Sequence, residues 1–196
     1  MIAVAYTPVQ PAADEPRRII RLLDGGWDYV HLRHPDATVR DMRNIIEALP
    51  QRLHGRIRLH GHFALTNEFN LGGLHLNSRC PQAPANYSGP LGITCHSVGE
   101  VLEAAATGRY AYATLSPIFP SLSKPGYAAD FAPEEIARAT AAMPVIALGG
   151  VTPERMEAVA DLGFAGYAVL GSLAALPLES LPEPFHVRGK SGSGAG

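Results

Sequence analysis

Three groups of residues in this 196-residue chain have the types and spacing to do chemistry. One is the segment "SPIFPSLSK", in which Ser121 and Ser123 set two hydroxyls along a single loop and Lys124 adds a mobile cation. Hydroxyls, loop N–H groups and an ammonium together suit the oxygens of an acidic group such as a phosphate. Two glycine turns form the next group, Gly149 and Gly150 in "ALGGV" and Gly171 with Ser172 in "VLGSL". Missing side chains let backbone N–H groups approach an anion there, and the start of a helix favours negative charge. Taken singly, each glycine turn serves equally as a tight turn and the serine loop as a solvated one. The remaining group is histidine: His31, His34, His60, His62, His75 and His96 all fall at or just beyond the end of a short apolar run. Neutral imidazoles around one cleft can move protons at neutral pH, and a cluster of them can hold zinc or nickel. His60 and His62 flank Gly61, so an extended backbone points both the same way.

The elements that must position these groups are legible as eight runs rich in Val, Ile, Ala and Tyr. They span 2–6, 28–32, 56–60, 72–76, 91–95, 110–115, 144–149 and 166–171. Between most of them lie segments of helical spacing. In "DEPRRIIRLLDGG" the residues Ile19, Ile20, Leu22 and Leu23 share a face and glycines close the end. In "VTPERMEAVADLGF" Thr152 is placed to cap, Pro153 to open and Gly163 to stop a helix. Alternating strands and helices predict parallel pairing, and eight repeats predict an α/β fold of one compact (β/α)8 TIM barrel; an open doubly wound sheet is the competing architecture. The barrel is expected over residues 1–181, with 182–196 as a flexible Gly/Ser-rich tail. Barrel chemistry sits at the C-terminal ends of the strands, and the loops after strands seven and eight are the usual place for phosphate.

Composition narrows the partners. A chain of this length with 46% hydrophobic residues buries one core, and a formal charge of −2 without a basic stripe points away from nucleic acid and acidic membranes. No apolar run approaches the roughly 20 residues of a membrane helix, and "MIAVAYTP" lacks the charged flank of a signal peptide. Cys80 and Cys95 form no metal-binding or disulfide pattern, which fits a reducing cytoplasm. Small-molecule substrates are the expected partners, and the oligomeric state is left open.

The motifs, taken in order, resemble the thiamine phosphate synthase family, including its thiazole tautomerase (TenI) branch, from the first strand to Ala175. The resemblance is carried by "VHLRHP" for Gln-Leu-Arg-Glu-Lys, "GGLHLN" for Gly-Val-His-Leu-Gly and "GITCHSVGE" for Gly-x-Ser-x-His. It continues in "LSPIFPSLSK" for Gly-Pro-Ile-Phe-x-Thr-x-Thr-Lys, then "VIALGGV" and "YAVLGSL". It implies a barrel enzyme of thiamine biosynthesis that couples a pyrimidine-methyl diphosphate with a thiazole phosphate. By that resemblance Ser121, Ser123, Gly149, Gly150, Gly171 and Ser172 hold the thiazole phosphate, while Arg33, Thr94, His96 and Lys124 surround the diphosphate.

Departures from the family pattern concentrate on the diphosphate side. His31 stands for the family glutamine and Pro35 for its lysine; His60 and Gly61 stand for an Asn-Asp pair, and Ser78, Arg79 and Cys80 for Gln-Glu-Asp. Magnesium is expected of the family, yet both of its carboxylate ligands are replaced here, and Gly61 and Cys80 are no substitute for hard oxygen ligands. No other cofactor is indicated. Arg79 is a candidate replacement cation. The tautomerase branch places its catalytic histidine where this chain has Pro117, so that chemistry needs a relocated base, for which His34 and His60 are the candidates. His75 and His96 match family positions and serve equally as hydrogen-bonded structural residues. Two further functions stay open: a binding protein that keeps the thiazole phosphate site, and another sugar-phosphate barrel enzyme. The segments "GITCHS" and "LSPIFPSLSK" argue against the latter.

Overall fold

Strands covered on both faces read as near-continuous apolar runs, and eight such runs close on one another in this chain. The computed structural model describes residues 1–120 and 131–187. Its strands are β1 (Ile2–Tyr6), β2 (Tyr29–Leu32), β3 (Ile57–Leu59), β4 (Gly73–Leu76), β5 (Leu91–Cys95), β6 (Tyr112–Leu115), β7 (Val145–Leu148) and β8 (Gly166–Val169). All neighbours pair in parallel in chain order, and β8 returns to β1, so the sheet is a closed barrel and the open doubly wound sheet is ruled out. Tyr6 lies opposite His31, His75 opposite Gly92, and Thr94 opposite Thr114. Because side chains alternate along a strand, this register decides which residues share the inner wall.

The covering helices are α1 (Glu15–Asp24), α2 (Val39–Glu47), α3 (Gln51–His54), α4 (Ala64–Phe69), α5 (Val98–Thr107), α6 (Pro133–Ala142), α7 (Met156–Asp161) and α8 (Gly171–Ala174). On α1 the residues Ile19, Leu22 and Leu23 are buried, as their spacing predicts, and each such side chain contributes roughly 1.5–3 kcal/mol on leaving water. A reciprocal capping box between Thr38 and Asp41 starts α2. The expected helix from Thr152 to Gly163 is divided: Pro153–Arg155 form a 3-10 turn before α7, and Thr152 makes no side-chain cap. Gly163 ends the segment at a φ of +79°, as its position suggests. No described helix is long and apolar enough to cross a membrane.

The segment expected to open a flexible tail is packed at its start. Trp27 is fully buried and its Nε1–H donates to the carbonyl of Pro182 at 2.9 Å. Phe185 stacks on Tyr167 with ring centroids 5.5 Å apart and meets Trp27 edge-on at 6.0 Å. Residues 188–196 lie outside the described residues.

Candidate active site

The barrel interior carries a buried polar chain. His60 Nε2 lies 2.9 Å from His31 Nδ1, His31 Nε2 lies 3.1 Å from the Tyr112 hydroxyl, and that hydroxyl lies 3.0 Å from His75 Nδ1. His75 Nε2 then meets the Thr94 hydroxyl at 2.9 Å and the Thr114 hydroxyl at 3.4 Å. Each neutral imidazole has one donor and one acceptor, so the run from His60 to Thr94 is satisfied with every bond pointing in one direction, and equally with all reversed. Gly92 makes the room: a Cβ there would stand 2.3 Å from the Tyr112 ring and 2.6 Å from His75 Nδ1. Burial lowers the His75 pKa to about 3, and burial followed by the neighbouring cations and imidazoles holds His31 and His60 well below their ordinary value. Burial likewise pushes Tyr112 well up. The chain is uncharged at neutral pH.

Above it opens a cavity of about 280 Å³ whose wall includes Arg33, His34, His60, His62, Asn77, Arg79 and Cys80. Among the described residues two guanidinium groups and no carboxylate line it. Arg33 is half-buried, its backbone N–H donates to Thr7 Oγ1 at 2.8 Å, and its guanidinium has no hydrogen-bond or ion-pair partner among the described residues. Arg79 sits at the exposed rim, 3.4 Å from Asp36. Asn77 braces the wall: its Nδ2 donates to the His60 carbonyl, and its Oδ1 accepts from the N–H groups of Arg79 and Cys80. Gly61 and Cys80 face each other, a Cβ on the glycine falling 3.7 Å from Cys80 Sγ. The family's magnesium does not fit the described wall, since that ion needs several hard oxygen ligands and the only side-chain oxygen among the described lining residues, that of Asn77, is already engaged twice.

His34 and His62 diverge from the expected cluster. His34 is buried; its Nδ1–H donates to the Pro8 carbonyl at 2.8 Å, and Nε2 lies 3.8 Å from the buried Glu15 carboxyl without a hydrogen bond. Burial raises the pKa of Glu15 and lowers that of His34, which disfavours the charged form of both. His62 does not share the direction of His60. β3 ends at Leu59 and His62 adopts a left-handed φ of +51°, so its ring turns out to the surface and lies 2.9 Å from the Ala37 carbonyl. The expectation from strand alternation fails because the strand has already ended.

On the opposite side of the mouth the walls are backbone. Gly149 and Gly150 turn with φ of +92° and +64°. A Cβ on Gly150 would lie 2.7 Å from the Pro120 carbonyl oxygen and 2.8 Å from that of Phe119. Arg155 secures the turn by donating to the Gly150 carbonyl at 2.6 Å and lying over the Phe119 ring. Gly171 opens α8 at the end of the neighbouring strand, and a Cβ there would meet nothing within 4 Å. Packing among the described residues therefore does not require that glycine. The buried Arg18 donates to the carbonyls of Leu173 and Leu176 and fixes the far end of α8.

The structure thus brings Gly149, Gly150 and Gly171 to one rim, and Arg33, His34 and His60 to one cavity. Ser121, Ser123 and Lys124 lie outside the described residues, as does the side chain of Ser172. Thr94 belongs to the interior chain through His75. His96 is exposed and donates from Nδ1 to the Ser116 carbonyl. Cys95 is buried, and burial aided by Glu100 pushes its thiol up to about 12, so it is an unreactive core residue. Tyr6, Tyr112, Thr114, Asn77 and Glu15 are site residues that motif reading misses. Tyr112 and Thr114 alternate within one strand, a period-2 signal of a polar inner wall that was available in the sequence.

Known proteins share the sequence pattern and the fold. The family model described as thiamine monophosphate synthase matches residues 3–173. The thiamine-phosphate synthase of Cronobacter sakazakii is 28% identical over 181 residues, covering 85% of this chain and 84% of that protein. A crystal structure of thiamine phosphate pyrophosphorylase from Bacteroides thetaiotaomicron superposes with a TM-score of 0.79 at 32% identity, covering 94% of this chain and 90% of that one. The thiamine phosphate pyrophosphorylase of Pyrococcus furiosus, at 19% identity and a TM-score of 0.72 over 92% of this chain and 91% of its own, shares the fold. The chain belongs to the thiamine monophosphate synthase family.

Proposed function

We propose that the chain is a thiamine phosphate synthase-type transferase, which joins a pyrimidine-methyl diphosphate to a thiazole phosphate and releases diphosphate. The observation that carries this reading is the Arg33 guanidinium, without a partner among the described residues, in a cavity whose described wall has no carboxylate. A half-buried cation gains most from an anion that comes to meet it, and guanidinium groups match phosphate oxygens in pairs. Family membership supplies the identity of that anion.

In the reaction the bond from the pyrimidine methylene carbon to the diphosphate oxygen breaks, its electron pair leaving with the oxygen. The thiazole nitrogen lone pair then forms the new carbon–nitrogen bond. Negative charge grows on the departing oxygens, so donors already fixed around them lower the barrier. Arg33 and the rim Arg79 take that role in this chain, with Lys124 and the Thr94 hydroxyl as the remaining donors. The thiazole phosphate is assigned to the turns at Gly149, Gly150 and Gly171, together with Ser121, Ser123 and Ser172. No step is assigned to magnesium, whose ligands the cavity lacks. The substrates are small molecules, and the two free cysteines fit a reducing cytoplasm.

A second reading rests on His60, a neutral imidazole on the cavity wall that suits proton transfer on a thiazole ring, whereas both ring nitrogens of His34 are buried against Pro8 and Glu15. A paired assay separates the two. Thiamine phosphate formed with an equal amount of diphosphate supports the transferase. Aromatisation of a thiazole carboxylate phosphate tautomer with no coupling product assigns the chain to isomerase chemistry, and binding of thiazole phosphate without either reaction leaves a binding protein.

A further inference from the structure

The interior histidines are packed more closely than a hydrogen-bonded core requires. Three of them, on or just beyond the adjacent strands β2, β3 and β4, come together, and their donor nitrogens all lie within 4.8 Å of one another. His60 and His75 stack with centroids 4.4 Å apart, and His31 stands 5.0 and 4.9 Å from them. We propose that His31, His60 and His75 form a binding site for one divalent transition-metal ion of the zinc class, which enters through the cavity that His60 lines.

The donor set selects the ion. Three imidazoles and no carboxylate suit zinc, cobalt, nickel or copper, and disfavour magnesium and calcium. The imidazoles are already neutral, so an incoming ion displaces few protons. Partners for the far sides of the rings are also in place. When His31 turns Nδ1 to the ion, its Nε2–H still donates to Tyr112. Whichever nitrogen His75 uses, the other keeps a hydroxyl, that of Tyr112 or of Thr94. Such outer contacts hold a ligating imidazole in one tautomer and orientation.

The ion takes the place of the proton shared by His31 and His60, which moves to Nδ1 of His60 so that both ligands stay neutral. A tetrahedral site with metal–nitrogen bonds of about 2.05 Å has nitrogens about 3.3 Å apart, so binding spreads the 2.9 Å His60–His31 pair slightly and draws the farthest pair in by up to about 1.5 Å. The fourth ligand follows from charge and from Tyr6. Arg33 and Arg58 lie near enough to disfavour protonated imidazoles, and no acidic side chain offsets a dication in the cluster. A water on the ion therefore gives up a proton to solvent and stays as hydroxide. Tyr6 packs against all three rings, and its hydroxyl, beside Thr114, is buried without a hydrogen bond of normal geometry. It is the free donor such a hydroxide needs.

The test uses the full chain stripped by a chelator and titrated with zinc against a chromophoric competitor. One equivalent is expected to bind; cobalt in its place should give the strong visible absorption of four-coordinate nitrogen ligation; and zinc, not magnesium, should raise the melting midpoint. His31→Gln and His75→Gln should each weaken zinc binding at least about a hundredfold, whereas His186→Ala, at an exposed histidine, should leave it unchanged. If either buried variant fails to fold, the cobalt spectrum of the unaltered chain decides. Failure to bind zinc, a six-coordinate cobalt spectrum, or full affinity in folded His31→Gln and His75→Gln would overturn the proposal. Because no readout needs turnover, failure here leaves the assignment as a transferase untouched.

Discussion

The two sides of the barrel mouth handle polarity in opposite ways. Below the glycine turns, β7, β8 and β1 face inward with Ile146, Ala168 and Val4, which cluster with Tyr6 at the border of the two sides, and the polar surface that the described residues put above them is backbone. Across the barrel, β2 to β6 put His31, His75, Thr94, Tyr112 and Thr114 inside, with His60 just past β3, and the cavity above them is lined by side-chain cations. A backbone cradle depends on conformation and tolerates an apolar floor. A side-chain site depends on partners drawn from five strands, and each buried polar atom must find one.

This contrast predicts where the molecule is most fragile. The largest effect is expected from Gly150→Val, which puts a β-branched residue at φ +64° with two carbonyl oxygens in its way. Thiazole phosphate affinity should fall below detection by calorimetry, and stability should drop by about 1–3 kcal/mol in urea unfolding. Retained affinity would break the idea of a backbone cradle. Next comes Arg33→Met, which removes one aligned donor and nothing structural that the described residues show. The single-turnover coupling rate should fall about a hundredfold, roughly 3 kcal/mol, with little change in melting temperature.

The histidine side is expected to respond to acid instead. His75 has a folded pKa of about 3 against about 6.5 unfolded. Its proton is taken up by the unfolded chain first, so stability is intact above pH 6.5 and falls as the pH drops toward 3. At pH 5 the loss from His75 alone is about 2 kcal/mol, and His31 and His60 add to it in the same direction. Urea unfolding of metal-free protein at pH 7.5 and pH 5 measures this, and His75→Gln should flatten the dependence. The smallest effect is reserved for the rim: Asp36→Asn, which breaks an exposed pair with Arg79, should change stability by less than about 0.5 kcal/mol. A larger loss would mean that the rim, rather than the buried chain, organises this side.

The same contrast explains what could be read from the residues alone. All eight strands were legible because burial on both faces makes each an apolar run, and the glycine turns were legible because a left-handed backbone selects glycine. The identities of the histidines were also plain. Their pairings were not, since His60 reaches His31 across strands, and Tyr112 bridges His31 and His75 from a third strand that no local pattern connects to them. His62 was misread because strand alternation stops at Leu59, one residue before the pair it was applied to. Phe185 was read as tail because its contacts, Tyr167 and Trp27, lie far off in the chain. Long-range contacts of this kind decide the chemistry on one side of the mouth and are nearly irrelevant on the other.

The proposed coupling takes place at an anion-receptive cavity whose described wall offers magnesium no carboxylate. The most direct test is to mix the purified chain with pyrimidine-methyl diphosphate and thiazole phosphate, with magnesium omitted, and to quantify thiamine phosphate by mass spectrometry. Thiamine phosphate should accumulate together with equimolar diphosphate, and at a rate that added magnesium changes little. No thiamine phosphate, with or without magnesium, from protein that binds thiazole phosphate would contradict it.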